Sequence, residues 1–332
     1  MTTDGDTTSR VVPVRHYGRW VAAAVIAVLA AMVVHTIFSK IPTGQVACST
    51  TNGVRACHAV MEWRFGWDVV FQYFTSSLML KGLVTTIELT LIAMFIGIVL
   101  GVLVAIMRLS PNRLLSIPAW IYTWFFRGTP VYVQLLFWFN FAALYRYIAV
   151  GVPFGSAHFF TFDTLNITAF IAAAIGLGLN EAAYMSEIAR AGLISVDEGQ
   201  VEAATALGMT RAQTLRLVIL PQAMRVILPP TGNEVISMLK TTSLAASIGV
   251  IELTGAAQNI YASNYKIMDL LICASLWYVI MTTILSIGQY YIERHFGRGA
   301  LRNQPLTPIE RLRRDLKGIA GKMHTSRPGV VR

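Results

Sequence analysis

Glu88, Arg127, Glu181, Glu234 and Lys240 are ionisable residues embedded in long apolar runs of this 332-residue chain. Their neighbours are polar too. Asn180 and Tyr184 stand one helical turn apart in "LNEAAY", with Glu181 beside them, and "LKTTS" sets Lys240 next to Thr241, Thr242 and Ser243. A charged side chain at the centre of a lipid-facing helix costs about 2.5–3.5 kcal/mol on insertion scales, so such groups face a partner or a wet cavity. A carboxylate and an ammonium at that depth pair with each other, cap broken helices, or hold the opposite charges of a polar solute. Glu181 and Lys240, with Asn180, Tyr184, Thr241 and Thr242, are therefore the candidate lining of a polar path. Glu88 lies near one end of its run and is expected at the interface. Arg127 is expected to hold a kink at "RGTP" by bonding freed carbonyls. None of this is bond-making chemistry. His16, His35, His58, His158, His295 and His324 lack metal-ligand spacing with a cysteine or with each other, and no G-x-S-x-G elbow presents a nucleophilic serine. No catalytic residue and no metal site is expected.

The composition says what surrounds these residues. Hydrophobic residues make up 55% of the chain, charged residues 13%, and the mean hydropathy is +0.57. A soluble domain carries about 25% charged residues, so lipid must serve as part of the solvent. The net charge of +10 raises the question of a nucleic-acid partner, but ten of the 27 Lys and Arg fall between Arg294 and Arg332 with little aromatic interleaving. They read as a basic cytoplasmic tail, and no nucleic-acid partner is expected.

The apolar runs predict an all-α polytopic membrane protein. Residues 1–19 form a cytoplasmic N-terminal segment, and 20–38 a first span preceded by Arg10, Arg15 and Arg19. A cleaved signal peptide is the rival reading, disfavoured by the length of the run and the lack of a small-x-small cleavage site. Residues 39–66 make a polar excursion, and Trp67 to Lys81 an interfacial helix. Further spans are expected at Val84–Met107, Leu165–Ala191, Gly232–Val250 and Ile267–Ile292. Residues 114–149, interrupted by "RGTP", read as a kinked helix ahead of a polar loop at Gly151–Asp163; 293–332 is the tail. With six spans, one side carries 19 basic residues and the other six, or nine against six without the tail. The positive-inside rule then puts both termini in the cytoplasm. Cys48 and Cys57 share the outer excursion, where they either form a short-loop disulfide, the favoured reading, or remain thiols.

One segment does not suit a bilayer. "EAATALGMTRAQTLRLVILP", Glu202 to Pro221, is polar and helix-favouring between apolar runs. Ser195 with Glu198 has capping-box spacing, Gly208 fits a left-handed helix end, Thr210 with Gln213 caps a second helix, and Pro221 bends the chain back. The segment about 195–225 is thus either an amphipathic linker on lipid or a helix–turn–helix unit offered to a partner.

That segment resembles the EAA loop of ABC-importer permeases: Glu-Ala-Ala, three residues, Gly, nine residues, then Ile-x-Leu-Pro, with Val218 replacing the Ile. "FFRGTPVYVQLLF", "AAYMSEIARAGLISVDEGQVEAA", "LPQAMRVILPPTGNEVISMLKTTSL" and "IGVIELTGAAQNIY" are similar to the polar amino-acid branch, so the resemblance runs from Trp67 to Phe296. It implies a five-helix permease core over 67–292, with the first span as one additional N-terminal transmembrane helix. It also implies that Glu202, Ala203, Ala204 and Gly208 contact a cytoplasmic ATPase dimer, while Leu220 and Pro221 set the angle of the next span. No Walker A motif occurs, so ATP and Mg belong to the partner ATPase and this chain binds no cofactor. The other implied partners are an extracytoplasmic amino-acid-binding protein, a second permease copy, identical or paired, and the bilayer. A zwitterionic amino acid would find its two countercharges at Glu181 and Lys240. The alternatives are an ATP-independent transporter or channel, for which no internal repeat is evident, and a membrane scaffold.

Overall fold

Runs of Leu, Ile, Val and Ala free of proline produce the longest elements of the computed structural model, which describes residues 17–51, 54–63, 65–151 and 158–296. In chain order these are α1 (Tyr17–Ile37), a hairpin of β1 (Lys40–Thr51) and β2 (Val54–Trp63), α2 (Trp67–Phe74), α3 (Ser77–Leu109), α4 (Arg113–Gly128), α5 (Val131–Phe139) and a one-turn α6 (Phe141–Leu144). A second hairpin, β3 (Tyr147–Gly151) and β4 (His158–Asp163), leads through a 3-10 turn to α7 (Ala169–Ile194) and α8 (Glu198–Ala206). A short α9 (Arg211–Gln213) passes through a π-helical stretch, Thr214–Ile219, into α10 (Leu220–Thr241); a 3-10 segment, Thr242–Ile248, precedes α11 (Leu253–Asn264) and α12 (Ile267–Phe296).

α3, α7 and α12 are long and apolar enough to cross a membrane, and Arg211–Ile248 with α11, bent by 44°, makes a fourth candidate as one broken span. At 1.5 Å per residue α3 reaches about 50 Å, longer than a bilayer core of about 30 Å. The expected single span at Gly232–Val250 is therefore the end of a longer helix that breaks at Thr242. The expected interfacial helix at Trp67–Lys81 stops at Phe74, and Lys81 belongs to α3. α1 is a 21-residue helix, apolar through Ala22–Ile37.

The membrane-depth elements are helical, as the sequence predicts, but two connections are not. The excursion at 39–66 is largely an antiparallel hairpin that sets Cys48 opposite Cys57. The kinked helix expected to run to 149 ends at Leu144, and the loop expected at 151–163 is partly a hairpin pairing Tyr147 with Asp163. Aromatic and β-branched residues in "YIAV" and "HFFTF" favour the pleated form once the apolar run ends.

The chain divides into two compact units, residues 1–80 with 256–276 and 81–255 with 277–332. In the first, the Trp67 ring stacks on Phe38 at 5.5 Å and its Nε1 donates to Ile37 O, while the Gly66 amide donates to Asp269 Oδ1 at 2.8 Å. The second unit is organised around α7, onto which α4, α5 and α10 pack. Its core contains Leu89, Leu135, Leu177, Met185, Met238 and Ile248. Small residues in α3 let α7 approach: a Cβ on Gly97 would lie 2.5 Å from Glu181 Cγ, and one on Gly101 2.6 Å from Met185 Cβ and 3.0 Å from Ala182 O. Gly97 and Gly101, four residues apart on α3, thus form a small-xxx-small face for helix packing.

Gly101→Val should cost about 1–3 kcal/mol through overpacking and lower the thermal midpoint of the purified protein in detergent. Gly288→Ala, where an added Cβ meets nothing within 4 Å, should leave it nearly unchanged; equal midpoints for both variants would contradict the close approach.

Candidate functional site

The polar segment folds as a capped helical hairpin. Asp197, not the expected Ser195, caps α8, accepting from the Gly199 amide at 2.9 Å. Ser195 instead ends α7, with its hydroxyl on Gly192 O; an Asp nearer the helix start outcompetes a Ser still inside the preceding turn. α8 closes with the Met209 amide on Ala204 O at 3.1 Å and the Gly208 amide on Thr205 O at 2.9 Å. This pair of bonds requires a left-handed residue between them, and Gly208 has φ +74°. Thr210 and Gln213 form the expected capping box. Pro221 does not bend the chain sharply. It has no amide to donate and would crowd Leu217 O in a regular α-helix; the helix widens to π geometry over Thr214–Ile219 and runs on into α10. Glu202, Ala203, Gly208, Leu220 and Pro221 are exposed, whereas Ala204 is 2% exposed. Ala204 thus serves the packing of the hairpin rather than presenting an outer surface.

The expected path residues do not converge on one point. Asn180 is buried and donates to Phe126 O at 2.9 Å and to Gln134 Oε1 at 3.2 Å. Gln134 in turn donates to Phe126 O, Thr129 O and Thr129 Oγ1. These amides take the carbonyls freed by the Thr129–Pro130 break, the task expected of Arg127. Glu181 is 3% exposed, and its Oε1 has no hydrogen-bond partner among the described residues; Glu234 of α10 lies within electrostatic reach of it. Lys240 is exposed at the end of α10, with no ion pair to Glu181 among the described residues. Thr241 and Thr242 bond back to Ser237 O and Leu239 O. Glu88 is exposed on α3, about three turns in from Ser77.

Two clusters escaped the sequence reading. Glu187 of α7 gathers three arginines: Arg108 of α3, Arg127 of α4 at 3.4 Å and Arg190 at 2.9 Å. Arg127 also lies 5.4 Å from the centre of the Tyr184 ring, so Tyr184 belongs to this cluster. Only the Glu187–Arg190 spacing of three was visible in the sequence; the other arginines arrive by tertiary packing. Glu252, wholly buried, caps α11 by accepting from the Thr254 and Gly255 amides, each at 2.9 Å, and from Tyr278 Oη at 2.8 Å. Thr86 of α3 bonds the Leu253 amide and approaches Glu252 at 3.5 Å. The signal was "ELTG", an acid just before a helix start.

Residues 97–298 match the family described as binding-protein-dependent transport system inner membrane component. The chain is 44% identical over 293 residues to the arginine transport system permease protein ArgU of Corynebacterium glutamicum, covering 87% of this chain and 84% of that one. It is 39% identical over 235 residues to the L-cystine transport system permease protein TcyB of Bacillus subtilis, covering 70% and 92%. A crystal structure of an amino acid ABC transporter with histidines superposes with a TM-score of 0.59 at 36% identity, over 71% of this chain and all of that one. An inward-facing methionine ABC transporter, 19% identical with a TM-score of 0.51 over 67% and 97%, shares the fold.

Within the matched region, truncating Glu252 strands buried donors at about 1–3 kcal/mol each. Glu252→Ala should markedly lower the thermal midpoint in detergent, and Glu252→Gln, which keeps an acceptor, should lower it less. Indistinguishable midpoints for wild type and Glu252→Ala would remove the capping role.

Proposed function

This chain belongs to the family of binding-protein-dependent transport system inner membrane components, and from that premise we propose that it carries a cationic amino acid, arginine first, through a pathway completed by a second permease copy. As a family member it is the non-catalytic membrane permease of an ABC amino-acid importer, with ATP hydrolysis in a separate subunit and a binding protein delivering the solute. The observation carrying the mechanical part is the capped hairpin of α8 and α9, exposed at Gly208 and continuous with α10. A push on its turn passes along an unbroken helical rod into the membrane. ATP and Mg bound by the ATPase dimer would close that dimer, and Glu202, Ala203, Gly208, Leu220 and Pro221 would transmit the closure to alternating access. Ala204 would contribute by holding the hairpin rigid.

The preference for a cation rests on Glu181 and Glu234, two acids with no ion pair among the described residues, together with the arginine named for the relative at 44% identity. Lys240, exposed on the single chain, is left to meet the solute carboxylate, with Asn180, Tyr184, Thr241 and Thr242 shaping the helices around it. Five core spans plus α1, both termini in the cytoplasm and the Cys48–Cys57 hairpin outside complete the proposed arrangement. The register opposite Cys57 favours a disulfide.

Four measurements test this reading. Vesicles holding the permease and its ATPase should take up labelled arginine only with ATP; uptake without ATP would favour a channel or secondary transporter. Glu181→Gln should weaken arginine uptake by about tenfold or more, the scale of a charge-assisted hydrogen bond, and leave insertion intact. Gly208→Asp adds bulk and charge where a Cβ meets nothing within 4 Å, at the cost of some strain at φ +74°, and should leave ATP hydrolysis running while uptake falls; coupled uptake at wild-type rate would count against docking there. Thiol alkylation of the denatured, unreduced chain should label one cysteine, Cys273, and all three after reduction, whereas three labels before reduction would exclude the bridge.

A further inference from the structure

Arg108, Arg127 and Arg190 surround a single carboxylate, Glu187. Three positive charges against one negative leave a surplus of two, and no other carboxylate among the described residues forms an ion pair with the cluster. The Arg108 side chain is 15% exposed. Arg108 takes Glu187, so the surplus falls on Arg127 and Arg190, 45% and 35% exposed, and leaves the cluster open to a second anion. A cavity of about 390 Å³ adjoins the cluster, lined by Arg108, Arg127, Tyr184 and Glu187 and walled by Trp120 and Trp124. Arg127, 45% exposed and 3.4 Å from Glu187, is the cation least committed to that carboxylate.

The walls say what kind of anion fits. Trp120 and Trp124 are exposed and stack at 6.3 Å between ring centres, and the outward residues Ile117 and Ile121 of α4 are apolar and exposed. Tryptophan is enriched at the headgroup level of a bilayer. Arg108 lies one residue before the end of α3, and Arg190 about one turn before the end of α7, the depth at which a spanning helix leaves the hydrocarbon. Guanidinium forks match the oxygens of a phosphate, and basic pockets between membrane helices suit anionic headgroups. A free anion would leave the tryptophan wall and the apolar face of α4 without purpose, whereas acyl chains would cover them.

We propose that this cavity binds the phosphate of an anionic phospholipid, with its acyl chains along α4 and the headgroup held by Arg127 and Arg108 of the lining, while Arg190 stays on Glu187 and adds to the positive field. The assignment to the inner leaflet rests on the coupling role proposed for α8 and α9, because α7 leads directly into that hairpin. The lipid then ties α3, α4 and α7 together at the root of the coupling segment and makes that junction sensitive to membrane composition.

Native mass spectrometry of the purified permease complex, equilibrated with phosphatidylglycerol or phosphatidylcholine, tests the site. The wild type should retain phosphatidylglycerol in preference to phosphatidylcholine. Arg127→Gln should cut that retention by about fivefold, the effect of one cation beside an anionic leaflet, with partial recovery in Arg127→Lys. Trp124→Ala, which touches no ion pair, should lower retention as well and keeps the test open should Arg127→Gln fail to assemble. Arg113→Gln, on α4 but outside the cavity lining, should leave retention unchanged. Equal retention of both lipids, an equal loss in Arg113→Gln, or displacement of the lipid by millimolar inorganic phosphate or arginine would overturn the proposal. Retention is read without ATP or transport, so this site can fail while the importer reading stands, and the reverse.

Discussion

Inside a bilayer no water is available to satisfy a broken helix, so every interruption at membrane depth must find its hydrogen bonds within the protein. The second unit meets this constraint twice. At Thr129–Pro130 the freed carbonyls of α4 are taken by Gln134 and Asn180. Between the 3-10 turn and α11, the orphan amides are taken by Glu252 and Thr86. Each repair recruits a side chain from elsewhere in the chain, Asn180 from α7 in one case and Thr86 from α3 in the other. The breaks therefore weld helices together at the points where regular structure fails.

α7 is where these welds and the close packing meet. Its alanines and glycines admit α3 through Gly97 and Gly101, and its polar residues serve different neighbours. Asn180 faces the α4–α5 break, Glu181 packs on α3, and Tyr184 and Glu187 meet the arginines. α7 also leads directly into the α8–α9 hairpin. The hairpin itself has few polar bonds to the rest of the molecule among the described residues, chiefly Gln222 to Gln200 at its base. Its stiffness comes from its own caps, its left-handed turn at Gly208 and the burial of Ala204 and Thr214.

Much of this was legible from the residues alone. Apolar run length located α3, α7 and α12 because nothing but a helix satisfies such a run in lipid, and the local chemistry of Gly208, Thr210 and Gln213 predicted the hairpin turn because caps and left-handed ends are decided within a few residues. The family likeness was carried by the same short motifs. Strand pairing in the two connections was missed, since polar excursions give no period strong enough to separate hairpin from loop. Ser195 was mistaken for a cap because spacing alone does not tell where one helix stops and the next begins.

Pairing across the fold was the business of tertiary structure. Depth in the membrane identified Glu181, Arg127 and Lys240 as costly residues needing an explanation, yet it assigned Arg127 to the carbonyls that Gln134 and Asn180 take, and it brought Glu181 and Lys240 together where the described residues show no ion pair between them. Glu187 and Glu252 passed unnoticed because each lies near a helix end, where a charge is ordinary, and their significance comes from Arg108, Thr86 and Tyr278, which are distant in sequence. Sequence determines what each segment can satisfy by itself: helix, cap, turn and hydrophobic length. Which surplus charge meets which carboxylate depends on how segments dozens of residues apart approach, and only the folded chain decides that.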